Sequence, residues 1–178
     1  MAPETIILNQ SLAWLTFIAN VLVLLIIFSL VFKKLEFSRK FLRLLKRFSY
    51  EIVFLFSTGG ILGSLVYSEV VGFTPCLLCW IQRIFLYPIA ILTFVAILKK
   101  EKVLGDYILS LSIPGAIVAL YHSFTQLGGP SLTSCTDASG ECSIVYFVNF
   151  GYITIPFMAF SAFILITLVI FIGKYFRS

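Results

Sequence analysis

Five long apolar runs, separated by short polar segments, set the pattern of the chain. Leu12 to Phe32 is an uncharged run of 21 residues. Ile52–Phe73, Trp80–Leu98, Tyr107–Phe124 and Tyr152–Gly173 follow, and the only charges inside them are Glu69 and Arg83. A bilayer core is crossed by about 20 residues of helix, so the runs predict five membrane-spanning helices and an all-α integral membrane fold. Gly59, Gly60 and Gly63 in the second run allow close helix contact. Pro88 in the third run, and Pro114 with Gly115 in the fourth, predict bends, because proline removes a backbone hydrogen bond.

The segments between the runs fix the topology. Lys33 to Arg47 holds seven basic residues against Glu36. Phe37, Phe41, Leu44, Leu45 and Phe48 recur there at helical spacing, which suits an amphipathic helix on the inner membrane surface, although a basic inner loop is a sufficient reading. Lys99, Lys100 and Lys102 follow the third run, and Lys174 and Arg177 follow the fifth. With 33–47 in the cytoplasm and five crossings, twelve of the thirteen Lys and Arg fall inside. Residues 1–11, 74–79 and 125–151 then fall outside, in agreement with the positive-inside rule. The first run is expected to be a retained anchor. A signal peptide has a basic segment before a shorter apolar core, whereas here the basic residues come after.

Composition supports this reading. Hydrophobic residues make up 60% of the chain and charged residues 12%, about half the charge of a soluble domain. The net charge of +5 does not indicate nucleic acid, because the charges border the apolar runs. No phosphate-binding loop, dinucleotide fingerprint or paired-carboxylate site is present.

The candidate chemistry lies on the expected outer side. Cys76 and Cys79 form a C-x-x-C where the third helix is expected to begin. Such a pair is either a redox dithiol or half of a zinc site. A helix N-terminus favours the reactive thiolate. At about 100° per residue, Cys76, Cys79, Arg83 and Tyr87 share one face of the helix. Arg83 thus sits one turn beyond Cys79, just inside the membrane, where a charge is costly and marks a functional candidate. It could instead snorkel to the headgroups, or stabilise a thiolate or a reduced acceptor. Cys135 and Cys142 enclose six residues in the long outer segment and suit either a structural disulfide or a labile one. Four cysteines could also bind zinc, but C-x6-C fits the usual spacing poorly. His122, the only histidine, lies at a depth similar to Arg83. It could pack, hydrogen-bond a quinone oxygen or carry a proton. Glu69, Gln82, Tyr87 and Gln126 are weaker polar candidates.

Pro75-Cys76-x-x-Cys79-Trp80-x-Gln82-Arg83, followed by Tyr87-Pro88, resembles the disulfide bond formation protein B (DsbB) family, particularly its shorter, BdbC-like members. Tyr121-His122 with Gln126, the second cysteine pair and Gly151-Tyr152-x-Thr154-Ile155-Pro156 resemble that family in order and spacing. The resemblance covers about residues 48–173. It implies a four-helix redox domain over 48–178, preceded by an added anchor (12–32) and a basic linker up to 47. It also implies that Cys135–Cys142 is the outer disulfide, which exchanges with a DsbA-like thioredoxin-fold thiol oxidase. Cys76–Cys79 would be the inner disulfide, reoxidised by ubiquinone or menaquinone. Cys79 is similar to the cysteine that meets the quinone ring and Arg83 to the arginine beside it, while His122 and Gln82 are expected to help bind the quinone.

The implied activity is that of a protein-disulfide:quinone oxidoreductase of the cell inner membrane, with no metal. Both cysteine pairs would face the periplasmic or extracellular side, and the linker and C-terminus the cytoplasm. Two alternatives are a vitamin-K-epoxide-reductase-like thiol and quinone enzyme, and a non-catalytic membrane protein with structural disulfides or zinc.

Overall fold

The computed structural model describes residues 3–100, 103–129 and 142–176. The described residues form six α-helices: α1 (Pro3–Val31), α2 (Glu36–Arg47), α3 (Ser49–Leu65), α4 (Leu77–Lys99), α5 (Gly105–Gln126) and α6 (Ile155–Tyr175). All but α2 are long and apolar enough to cross a membrane, and the protein is a multi-pass membrane protein. Helices α3, α4, α5 and α6 pack in a closed cycle, each against the next and α6 against α3. Helix α1 stands outside this cycle against α6, and α2 packs on α1 and α6. The architecture is a four-helix bundle with one added spanning helix.

Interior packing joins the four bundle helices through residues such as Val53, Ile89, Ala116, Phe163 and Ile170. A Cβ added at Gly115 would come within 2.5 Å of the Phe163 ring, so this glycine is what lets α5 and α6 approach. The same interface holds a hydrogen bond from Thr167 Oγ1 to Ser112 Oγ at 2.9 Å. Helices α4 and α5 run on through Pro88 and Pro114. Many large apolar side chains, including Leu24, Leu55, Ile84, Ile91 and Ile117, remain exposed on the outer faces, as expected where lipid replaces water as the solvent.

The helix limits depart from the apolar runs in ways that matter for the site. Helix α3 is continued by a π-helical turn, Val66–Val70, and then stops. Gly72 has φ +81, a left-handed conformation that favours glycine. Helix α4 begins at Leu77, three residues before Trp80, with Cys76 as its N-cap. Helix α6 begins at Ile155 rather than Tyr152, because Phe150 (φ 52) and Gly151 (φ 79) turn the chain first. Pro156 then fits the first helical turn, where its missing N–H costs nothing.

The basic stretch, for which a loop sufficed in the sequence, is the 12-residue helix α2. Ser38, Leu42 and Leu45 lie at i, i+4 and i+7 and are buried, and this inward stripe gives the helix something to pack on. Leu45 therefore belongs to the protein interior. Phe37, Leu44 and Phe48 stay exposed on the other side. Lys46 Nζ donates to the Phe176 carbonyl at 2.6 Å, tying α2 to the end of α6.

Candidate functional site

The end of the bundle remote from α2 carries the sulfur chemistry. Cys76 is in extended conformation (φ −73, ψ 171), and its Sγ accepts a hydrogen bond from the Cys79 amide at 3.4 Å. The side chain thereby caps the helix in the manner of serine or aspartate. This cap brings the Cys76 and Cys79 sulfurs to 2.9 Å, as two free thiols. Cys76 is buried at the positive end of the α4 dipole. Cys142 is disulfide-bonded and buried. It shares one apolar cluster with Cys76 and Leu78, bordered by Cys79, Ile81, Val118 and Tyr121. Cys135 lies outside the described residues.

His122 reaches this cluster from α5. Its Nε2 lies 3.6 Å from Cys76 Sγ, and its Nδ1 accepts from Gln82 Nε2 at 2.9 Å. With Nδ1 accepting, Nε2 carries the proton and points a donor at the Cys76 sulfur. The Cys76 thiol is held well below the ordinary cysteine range. The hydrogen bond with Cys79 is the largest cause; burial opposes it, and the hydrogen bond from His122 adds to it. A lowered pKa keeps Cys76 as thiolate at neutral pH, and protonation sets in only as pH falls through the lowered value. His122→Ala is therefore expected to move the pH midpoint of the reduced protein's ultraviolet thiolate absorbance upward, toward the ordinary range. An unmoved midpoint would leave His122 as a packing residue.

Arg83 does not snorkel. It is buried, and every hydrogen bond it makes among the described residues goes to α3 or its π-helical extension. Nε donates to Ser64 Oγ at 2.9 Å, and Nη2 donates to the Ser64 carbonyl at 2.9 Å and to Ser68 Oγ at 3.0 Å. The guanidinium also lies over the Trp80 ring, 4.9 Å from its centroid. Ser64 and Ser68 carry no motif in the sequence. The available signal was two small hydroxyl residues at i, i+4, near the same end of their span as Arg83.

A cavity of about 390 Å³ opens beside the thiols. Cys79, Gln82, Arg83 and Leu86 line it from α4. The cavity-facing stripe of α4 is thus i, i+3, i+4 and i+7 from Cys79, whereas Tyr87, which shares the thiol face in a helical projection, is not among the lining residues. His122 joins from α5. Along α3 and its π-helical extension the lining runs from Leu55 to Ser68, about 20 Å at 1.5 Å per residue. The polar part belongs to one end of that stretch. The opposite wall includes Leu12, Thr16 and Ala19 of α1. The contribution of α1 was invisible in the sequence, where the helix reads as an anchor.

The site offers two kinds of ligand chemistry. The donor atoms of Cys76, Cys79 and His122 lie within 4.8 Å of one another, so the reduced pair could hold a soft metal ion by three ligands. The long apolar cavity, with a buried guanidinium and a thiol at its polar end, suits a flat lipid-soluble molecule bearing oxygen acceptors. Gln126 has a different role: its Nε2 donates to the Ile144 carbonyl at 2.8 Å and ties the end of α5 to the segment after Cys142.

The family model described as "Disulfide bond formation protein DsbB" matches residues 46–173. The SPbeta prophage-derived disulfide bond formation protein B of Bacillus subtilis is 40% identical over 115 residues, covering 65% of this chain and 78% of the relative. The probable disulfide formation protein C of Halalkalibacterium halodurans is 43% identical over 108 residues, covering 59% and 77%. The disulfide bond formation protein C of Bacillus subtilis is 38% identical over 122 residues, covering 65% and 88%. No solved structure matches the chain.

Proposed function

The chain belongs to the disulfide bond formation protein DsbB family, and from that premise we propose that it reoxidises an extracytoplasmic, DsbA-like thioredoxin-fold thiol oxidase and passes the electrons to a membrane quinone. The observation that carries this reading is the position of Cys79. It stands 2.9 Å from Cys76, which shares a buried cluster with Cys142, and it also lines the cavity. The sulfurs thus form a series from the segment that carries Cys142 to a mainly apolar chamber.

The residues divide the work accordingly. A thiolate of the reduced oxidase attacks the Cys135–Cys142 disulfide, and resolution of the mixed disulfide leaves Cys135 and Cys142 reduced. The Cys142 thiolate attacks Cys76 of the oxidised Cys76–Cys79 pair and displaces Cys79. Cys135 then attacks Cys142, which restores the outer disulfide and leaves Cys76 and Cys79 as thiols. Each exchange moves two electrons and depends on thiolate access. A bound quinone supplies a two-electron, two-proton acceptor. The cavity fits it: the lining is mainly apolar, and Arg83 keeps unused guanidinium donors beyond those given to Ser64 and Ser68. Cys76 and Cys79 close again to a disulfide, with His122 orienting the Cys76 thiolate and Arg83 stabilising negative charge beside Cys79.

In this reading residues 1–47 are an anchor and cytoplasmic linker added to a four-helix redox domain, 48–178, in the cell inner membrane. Both cysteine pairs face the periplasmic or extracellular side. Because α1 walls the cavity, it is part of the acceptor site as well as a tether. The test is a titration of the purified, fully reduced protein with ubiquinone and with menaquinone, following the redox state of each cysteine by labelling. Oxidation of Cys76 and Cys79 with matching quinol formation is expected. Thiols that stay reduced with both quinones would overturn the reading.

A further inference from the structure

Helix α2 has three faces. Ser38, Leu42 and Leu45 turn inward. Phe37 and Leu44 are exposed on a second side. Glu36, Arg39, Lys40, Arg43 and Arg47 are exposed on the third, roughly opposite the inward face at about 100° per residue. Connectivity holds α2 level with the ends of the spanning helices: α1 stops at Val31 just before it, and α3 starts at Ser49 just after it. A hollow of about 370 Å³ opens there, lined by Glu36, Arg39, Lys40 and Arg43 of α2 and by Phe176 beyond α6. Its cations are crowded. Arg39 and Arg43 stand one helical turn apart, Lys40 lies between them in the chain, and like charges at that spacing destabilise a helix. Glu36 does not relieve this, because among the described residues it forms no ion pair with any of the three. Arg39 Nη2 and Arg43 Nε donate only to backbone carbonyls, at 3.5 Å and 3.4 Å, which leaves most of their guanidinium donors for a ligand.

We propose that this hollow binds the headgroup of an anionic phospholipid, a phosphatidylglycerol, with its phosphate held by Arg39, Lys40 and Arg43. Three cations against one carboxylate give a positive site, and the arginine forks match phosphate oxygens. An anion among the three removes their mutual repulsion. Glu36 repels the phosphate but accepts from the hydroxyls of a glycerol headgroup, so this lipid suits all four side chains. The anion comes from lipid rather than from solution because the apolar side, Phe37 and Leu44, adjoins the basic one where three spanning helices end. A helix divided in this way lies at the boundary between headgroups and acyl chains, and basic residues at that level attract anionic lipids. Helix α2 packs on α1 and α6, so the bound lipid fastens the added anchor to the bundle. The inference is independent of the quinone reading.

The experiment uses the full-length protein in detergent, with dioleoylphosphatidylglycerol and dioleoylphosphatidylcholine as probes and native mass spectrometry as the readout. The glycerol lipid is expected to be retained and the choline lipid, with the same chains, to be lost. Arg39→Gln with Arg43→Gln is expected to weaken retention about 25-fold, at about fivefold for each charge near a bilayer surface. Lys33→Gln with Lys34→Gln removes the same charge outside the hollow and should leave retention nearly unchanged. Equal losses from the two pairs would mean diffuse attraction to a basic surface and would overturn the proposal, as would equal retention of the two lipids. Excess glycerophosphoglycerol, which has the headgroup without the chains, should not displace the lipid. Displacement by it would mark a site for soluble anions and overturn the lipid assignment. A second measurement needs no substitution: a phosphatidylglycerol with a photoreactive headgroup, bound to the unaltered protein, should cross-link within Glu36 to Arg43 or at Phe176. Cross-links confined to other segments would overturn the proposal.

Discussion

Cys79→Ser is expected to reduce quinone-dependent oxidation to the uncatalysed background, and Cys76→Ser to do the same by a different route. Cys79 lines the cavity and Cys76 does not. Cys76 instead shares its cluster with Cys142. Removing Cys79 therefore separates the sulfur series from its acceptor but leaves Cys76 able to pair with Cys142. In that variant Cys76 can exchange with the Cys135–Cys142 disulfide only reversibly, because Cys135 re-forms it, so the outer pair should take electrons from the oxidase once and then stop. Removing Cys76 separates Cys79 from Cys142, so Cys135 and Cys142 should still exchange with the oxidase once and then stop. Serine is nearly isosteric with cysteine but is a far weaker nucleophile at neutral pH, so neither loss should be attributed to the fold. Full activity in either variant would sink the mechanism.

Arg83→Ala is expected to lower quinone turnover by about 10²–10³-fold, the usual effect of removing a preorganised donor from a developing oxyanion. Thiol exchange between the oxidase and Cys142 should change much less, since Arg83 is not in the Cys76–Cys142 cluster. The hydrogen bonds to Ser64 and Ser68 add a finer expectation. Lysine restores the charge but cannot reproduce a planar fork that meets Ser64 Oγ, the Ser64 carbonyl and Ser68 Oγ together. Arg83→Lys should therefore recover only part of the loss. The double change Ser64→Ala with Ser68→Ala should lower quinone turnover about tenfold by releasing the guanidinium from its position. Stopped-flow measurement of quinol formation, run beside an exchange assay with the oxidase, reads all three variants. Equal losses in the two assays would make Arg83 a structural residue.

Much of the fold was legible because membrane proteins write it plainly. The five apolar runs became the five spanning helices; α1 begins nine residues ahead of its run, and the other limits shifted by a few residues where local backbone chemistry intervened. Gly72 and the turn at Phe150–Gly151 shortened two helices, and the Cys76 cap lengthened a third. The basic stretch was harder to read. Its inward residues include Ser38, so the packed stripe of α2 is not the most apolar one, and hydrophobic spacing alone could not show which residues face the bundle. The site was half legible. The C-x-x-C and Arg83 lie within two turns of one helix, where spacing along the chain is spacing in space. His122 was singled out for its depth, and its contact with Cys76 could not be read because it depends on how α5 is rotated against α4.

The sequence by itself determined the class of the molecule, the number of its spans, the thiol pair at the start of α4 and the family. These depend on runs of like residues and on contacts between near neighbours in the chain, which a helix fixes regardless of its surroundings. Only the tertiary structure decided that Arg83 is held by Ser64 and Ser68, that Gln82 and His122 stand behind Cys76, and that α1 forms one wall of the cavity. Each is a meeting between helices. Such meetings are set by the rotation and depth of one helix against another, which depend on close approaches such as Gly115 to Phe163 and leave no period in the chain.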